Sequence, residues 1–123
     1  GPMLAGLYNL GTIVISGPLL VIGPREIPGK LYGFALFNSI LVVFSAKKRG
    51  IFVPESWLAL RQLQVCDTIT SSQQQQQQTH HKHAWQLYHK PSGQLLELVA
   101  TSKQEKRLWM RYLGECIEGS SQQ

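Results

Sequence analysis

Residues 102–119 limit this chain's options more than any others, because they form its one long helical pattern and stand near its end. Ser102-Lys103-Gln104-Glu105 has the S-x-x-E form of a capping box, in which the serine side chain takes up a free backbone N–H of the first turn. Behind it Leu108, Trp109, Tyr112, Leu113, Cys116 and Ile117 fall on one face, with Lys106, Arg107, Arg111 and Glu115 largely on the other. Gly119 supplies a stop signal. A single amphipathic helix must bury its apolar stripe against another layer. The preceding residues therefore have to offer an open end or face of a sheet, with Trp109 as the main plug.

Those preceding residues read as strands. TIVISGPLLVIG is β-branched and apolar around Gly17-Pro18, and a first strand is expected at 19–22 with a short extension at 12–15. GPREIPGK at 23–30 is a turn-rich loop. LYGFALF and ILVVFSA, separated by Asn38-Ser39, predict an antiparallel hairpin closed by a two-residue turn. After the basic loop KKRG at 47–50, WLAL at 57–60 and LQVCDTI at 63–69 supply two short strands with Arg61-Gln62 between them. AWQLYHK and QLLELVATS flank a turn at Pro91-Ser92-Gly93 and complete seven candidates. Trp57 and Trp85 are expected in the core. Hairpin spacing throughout predicts a mainly β fold, a seven-stranded antiparallel barrel or sandwich capped by one C-terminal helix.

At 123 residues the chain has room for one core. Gly1-Pro2 has the form of a remnant of tag cleavage, and Leu4, Leu7 and Leu10 could make a turn or two of helix before Gly11, so residues 1–16 are set apart as a leading segment. The low-complexity run at 71–83, SSQQQQQQTHHKH, is too polar to order itself and is expected as a flexible loop inserted within the domain at 17–119. His80, His81 and His83 lie on it without a nearby cysteine or carboxylate, so no metal site is expected. Residues 120–123 read as a disordered tail.

The formal net charge of +5 favours anionic partners. Nucleic acid is not expected, since no RNA-binding motif or dense Lys/Arg run is present. Cys66 and Cys116 stand far apart with no CxxC pattern, consistent with free thiols in a reducing compartment. The start, MLAGLYNLG, lacks the basic region of a secretory signal, and the longest apolar runs are too short to cross a bilayer. A cytoplasmic protein with at most peripheral membrane contact is the expectation. Asp67, Glu97 and Glu105 are scattered, and no nucleophile motif or phosphate-cradling glycine loop occurs. Neither an enzyme nor a cofactor is expected.

Seven short strands and a closing helix with a central Trp resemble the pleckstrin-homology family over residues 17–118. KLYGFALFNSILVVFSAKK resembles that family's second and third strands, WLALRQLQV its fourth and fifth, and AWQLYHKPSGQLLELVATSKQEKRLWMRYLGECI its last two strands and helix, with Trp109 at the characteristic position. Within the family the sequence most resembles the domain that follows the catalytic Dbl-homology domain of Rho guanine nucleotide exchange factors. The segment at 3–9 then matches the end of the preceding catalytic helix. The resemblance implies a regulatory docking module that positions or restrains an exchange factor and contacts a small GTPase or another signalling protein. The alternative is a phosphoinositide-specific targeting domain of another signalling or scaffold protein.

Phosphoinositide-binding members carry a Lys in the first strand and K/R-x-R in the second, because a phosphorylated inositol needs several cations and Arg grips phosphate bidentately. Here LLVI has no Lys, and the residue two past Lys30 is Tyr32. Stereospecific headgroup binding is therefore not expected. Arg25 and Lys30, with Lys47, Lys48 and Arg49, could form a basic rim for weak attraction to anionic phospholipid, or could be solvated loop residues. Arg107 and Arg111, one helical turn apart, either meet an acidic protein surface or form a solvated helix face.

Overall fold

In the computed structural model, which describes residues 11–23, 29–66 and 82–121, the apolar runs become strands and the last segment a helix. The strands are β1 (Ile15–Ile22), β2 (Lys30–Leu36), β3 (Ile40–Ala46), β4 (Phe52–Ala59), β5 (Leu63–Cys66), β6 (Ala84–His89) and β7 (Gln94–Val99). The helix, α1, spans Lys103–Ser121. All strand pairs are antiparallel, in the spatial order β4-β3-β2-β1-β7-β6-β5. Among the described residues the expected mainly β architecture, seven antiparallel strands and one C-terminal helix, is the one observed. The leading segment at 1–10, Arg25 and most of the Gln/His-rich run lie outside the described residues, as do Gln122 and Gln123.

Turn chemistry sets the registers. Asn38-Ser39 closes the β2–β3 hairpin, with the Phe37 N–H donating to the Ile40 carbonyl at 2.9 Å. Between β6 and β7 the Gly93 N–H donates to the His89 carbonyl at 2.9 Å. Gly93 sits at φ +73°, which glycine adopts without strain. The Ser92 hydroxyl lies 2.7 Å from His89 Nδ1 and accepts the Gln94 N–H at 3.2 Å, pinning the same turn.

Several boundaries differ from the sequence expectation. β1 runs unbroken through Gly17-Pro18. It pairs with β2 along Ile15–Val21 but with β7 only from Leu20 onward, so Pro18 falls where one flank is open and its missing N–H is tolerated. β4 starts five residues earlier than its expected strand at Trp57 and contains Pro54. It is an edge strand with a register shift against Val43/Phe44, a setting that accommodates proline. His83, assigned above to the flexible loop, accepts the Ala100 N–H on its carbonyl at 3.0 Å and so extends the β6–β7 ladder. The helix passes Gly119 and reaches Ser121. There the Ser120 hydroxyl donates to the Asn38 carbonyl at 3.3 Å and ties the last turn to the β2–β3 hairpin.

One apolar cluster joins sheet and helix: Leu19, Phe34, Leu36, Leu98, Trp85, Trp109 and Leu113 are among its buried members. α1 packs on the 3₁₀ turn Leu60–Gln62 and on β5 and β6. Trp109 is fully buried and meets the edge of Phe34, with ring centroids 6.3 Å apart at 76°. At the helix start the Ser102 hydroxyl accepts the Glu105 N–H at 3.1 Å, the serine half of the capping box.

The outer face of β2 and β3 is apolar as well. Ala35, Phe37 and Val42 are buried there with Ile40 and Phe44 against them. Trp57 pairs with Val42 and stands on that outer side, 38% exposed rather than in the core. β2 and β3 thus carry apolar residues on both faces, where an antiparallel sheet commonly leaves one polar.

Candidate functional site

The strand registers bring the expected basic residues to one end of the sheet. Tyr32 pairs with Ser45, so Lys30 two residues earlier and Lys47 two residues later face each other when that register is continued. The β1–β2 and β3–β4 connections therefore share an end. β7 runs antiparallel to β1, with Ile22 opposite Glu97, so the β6–β7 turn and its exposed Lys90 belong to that end too. Of the five cations expected in a rim, the structure gathers Lys30, Lys47, Lys48 and Arg49, all exposed. Arg25 lies outside the described residues. Lys90 was not foreseen, because nothing in the local sequence tells which hairpin turns share an end.

Two local features hold these side chains. The Lys30 ammonium lies 5.3 Å from the centroid of the Tyr32 ring, a cation–π contact. Tyr32, which breaks the family's phosphate-binding pattern, thus acts as a seat for the lysine. In the β3–β4 connection the Lys47 N–H donates to the Ile51 carbonyl at 2.6 Å, closing a tight loop around the 3₁₀ turn Lys48–Gly50. Arg49 is held there at φ 67°, ψ 26°, the left-handed region that costs a side-chain-bearing residue of the order of 1–2 kcal/mol.

Apolar side chains share this end. Ile51 is 58% exposed, Leu31 48% and Phe52 42%. The Phe52 ring rests over Gly33, where an added Cβ would lie 3.4 Å from it. The signal was present in the sequence as KKRGIF, a cationic turn running directly into two large apolar residues. Cations beside exposed apolar side chains suit a surface that is anionic outside and hydrocarbon beneath.

The second expected site lies elsewhere. Arg107 and Arg111 line a hollow on the outer face of α1 with Lys103, Gln104 and Leu108. Arg111 pairs with Glu115 at 3.4 Å and lies 5.7 Å from the Tyr112 ring centroid. Leu108, assigned above to the apolar face, is half-buried at the border of this hollow. Cys66 and Cys116 are free, and burial together with the neighbouring Glu115 carboxylate pushes the Cys116 thiol up from its ordinary value. Among the described residues no group of His, Cys, Asp or Glu could hold a metal ion, and no helix is long and apolar enough to cross a membrane.

Comparison with known proteins gives one family and one fold. The family model described as PH domain matches residues 13–118. No curated protein matches the sequence. Among solved structures, Vav1 inhibited by an allosteric inhibitor superposes with a TM-score of 0.69 at 18% identity, over 90% of this chain and 28% of that one. Human RhoA in complex with the DH/PH fragment of PDZRHOGEF gives 0.67 at 20% identity, over 97% of this chain and 33% of that one. The Slm1-PH domain in complex with phosphoserine gives 0.64 at 18% identity, over 86% of this chain and 96% of that one. This chain spans about a third or less of the two exchange-factor chains, and identities this low speak to the fold alone.

Proposed function

The chain belongs to the PH domain family, and from that premise we propose that it is a non-enzymatic docking unit of a Rho-family exchange factor. It attaches the factor peripherally to anionic membrane on the cytoplasmic side, and contacts a small GTPase or another signalling protein. The observation that carries the membrane part is the shared end of the sheet. Lys30, Lys47, Lys48 and Arg49 collect there by strand register, with Ile51, Phe52 and Leu31 exposed among them.

Each cation near an anionic leaflet contributes about 1 kcal/mol, and the attraction decays over roughly a Debye length, about 8 Å at physiological salt. Four of them give binding that is weak alone and strongly salt-dependent. The apolar side chains add a contribution that salt does not screen. Selectivity for one inositol phosphate isomer needs a preformed cage of cations. β1 supplies no Lys to such a cage, and Lys30 is seated on Tyr32. The resemblance to exchange-factor domains supports the Rho context, through the motifs of β2, β3 and α1.

The test is co-sedimentation with phosphatidylserine vesicles at low and high salt. Arg49→Glu is expected to weaken low-salt binding by about tenfold or more, since it removes one attraction and adds one repulsion. Ile51→Ser is expected to remove the fraction that survives high salt. Wild-type binding unaffected by either change rules out this end of the sheet as the membrane surface.

A further inference from the structure

Along the outer face of α1 the charges run against the helix that carries them. Aligned peptide dipoles favour acids in the first turn and cations in the last. Here exposed Lys103, Arg107 and Arg111 occupy the N-terminal half, exposed Glu115 and Glu118 the C-terminal half, and the last turn holds no basic residue. The one acid of the first turn, Glu105, is half-buried to the side. Lys103, Arg107 and Arg111 recur every fourth residue, so they stand in line, each about 6 Å from the next, and like charges at that spacing repel. Lys103 and Arg107 have no ion-pair partner among the described residues, while Arg111 is held at the far end by Glu115. A surface shaped for helix stability alone would carry the opposite order. A partner bringing negative charge to this line would relieve both the repulsion and the unfavourable dipole.

We propose that the hollow from Lys103 to Arg111 docks an acidic helical segment of a partner protein. Carboxylates on successive turns of that segment meet Lys103, Arg107 and Arg111, and an apolar side chain between them rests on Leu108. The reversal of sign at Glu115 and Glu118 favours a protein over a membrane. An anionic bilayer lying along α1 would be repelled by the C-terminal half, whereas a short acidic segment is confined to the N-terminal half. The same reversal sets polarity: a basic residue one or two turns beyond the partner's carboxylates meets Glu115 and Glu118. This inference rests on the reading of the chain as a docking unit and names the chemistry of its protein partner. It does not depend on the basic end of the sheet.

The probe is a fluorescein-labelled, end-capped helical peptide with Glu at every fourth position, Leu beside the middle Glu, and Lys beyond the last. Fluorescence anisotropy against the whole chain is expected to show saturable binding. Replacing Glu by Gln in the peptide, or making Lys103→Glu with Arg107→Glu in the chain, is expected to weaken it by about tenfold or more. A peptide with Lys in place of Glu should then bind the doubly substituted chain better than the original. That chain should melt no lower than the parent, which separates lost docking from lost folding. Equal binding of the Gln peptide, or none at millimolar concentration, overturns the proposal. So does loss of phosphatidylserine-vesicle binding by the doubly substituted chain in parallel with peptide binding, since the helix face would then be a membrane contact. If vesicle binding is absent throughout while the peptide pattern holds, only the membrane reading fails.

Discussion

Replacing Trp109 by Ala tests whether the helix is keyed into the sheet or merely rests on it. The indole is fully buried and its neighbours include the edge of Phe34 at 6.3 Å and 76°. Truncating a buried Trp to Ala commonly costs about 3–5 kcal/mol, from lost transfer energy and the cavity left behind. The edge-to-face contact contributes about 0.5–1.5 kcal/mol of that. We expect about 4 kcal/mol for Trp109→Ala, a large part of the roughly 5–15 kcal/mol that holds a domain folded. With a urea m-value of about 1.5–2 kcal/mol/M, the midpoint falls by about 2–3 M. Far-ultraviolet circular dichroism follows the transition, since Trp57 and Trp85 complicate fluorescence. Pairing Trp109→Ala with Phe34→Leu in a double-mutant cycle should return a coupling near 1 kcal/mol. A cost below about 2 kcal/mol together with strict additivity would refute the claim that this ring joins the two layers.

Three further outcomes are expected. Ser102→Ala removes the acceptor of the Glu105 N–H and costs about 1 kcal/mol in thermal or urea unfolding, whereas Ser102→Asp leaves stability near the parent's. Arg49→Gly relieves the left-handed backbone and leaves the melting temperature equal or higher, while vesicle binding falls; lower binding with a collapsed melting temperature would contradict this. The raised Cys116 thiol makes its alkylation by iodoacetamide slower at mildly alkaline pH in the folded chain than in urea, and Glu115→Gln speeds it by removing the second cause. Because the folded value lies above the ordinary 9.0, its contribution to stability is full below that pH and is lost as pH rises through the folded value.

Local chemistry made the elements legible and left their faces obscure. The capping serine, the spacing around Trp109 and the Asn38-Ser39 turn each act within a few residues, and all three appear in the structure as expected. β4 began earlier than its aliphatic run because an edge strand tolerates Pro54, which from sequence reads as a break. Trp57 is expected inside as a large apolar residue, but its face is set by its pairing with Val42 of β3, and period two assigns faces only when the faces differ. KLYGFAL and ILVVFSA are apolar on both, so their alternation gives no direction. The basic end was visible as separate residues, but Lys90 joins it only through the β1–β7 pairing, a contact between strands some seventy residues apart in sequence. Likewise Arg107 and Arg111 were recognisable as neighbours, while Lys103 joins their line only once its capping position is also seen as the start of the outer face.

The membrane attachment proposed for this chain relies on charge and exposed apolar side chains, not on recognition of one headgroup. Vesicle co-sedimentation should therefore compare phosphatidylserine with individual phosphoinositide isomers at matched total charge, at two salt concentrations. The expected binding follows total negative charge, is indifferent to isomer, and drops steeply with salt to a small residue abolished by Ile51→Ser. Tight binding to one isomer that resists salt and requires Lys30 would contradict it, and would make this chain a stereospecific phosphoinositide-targeting domain.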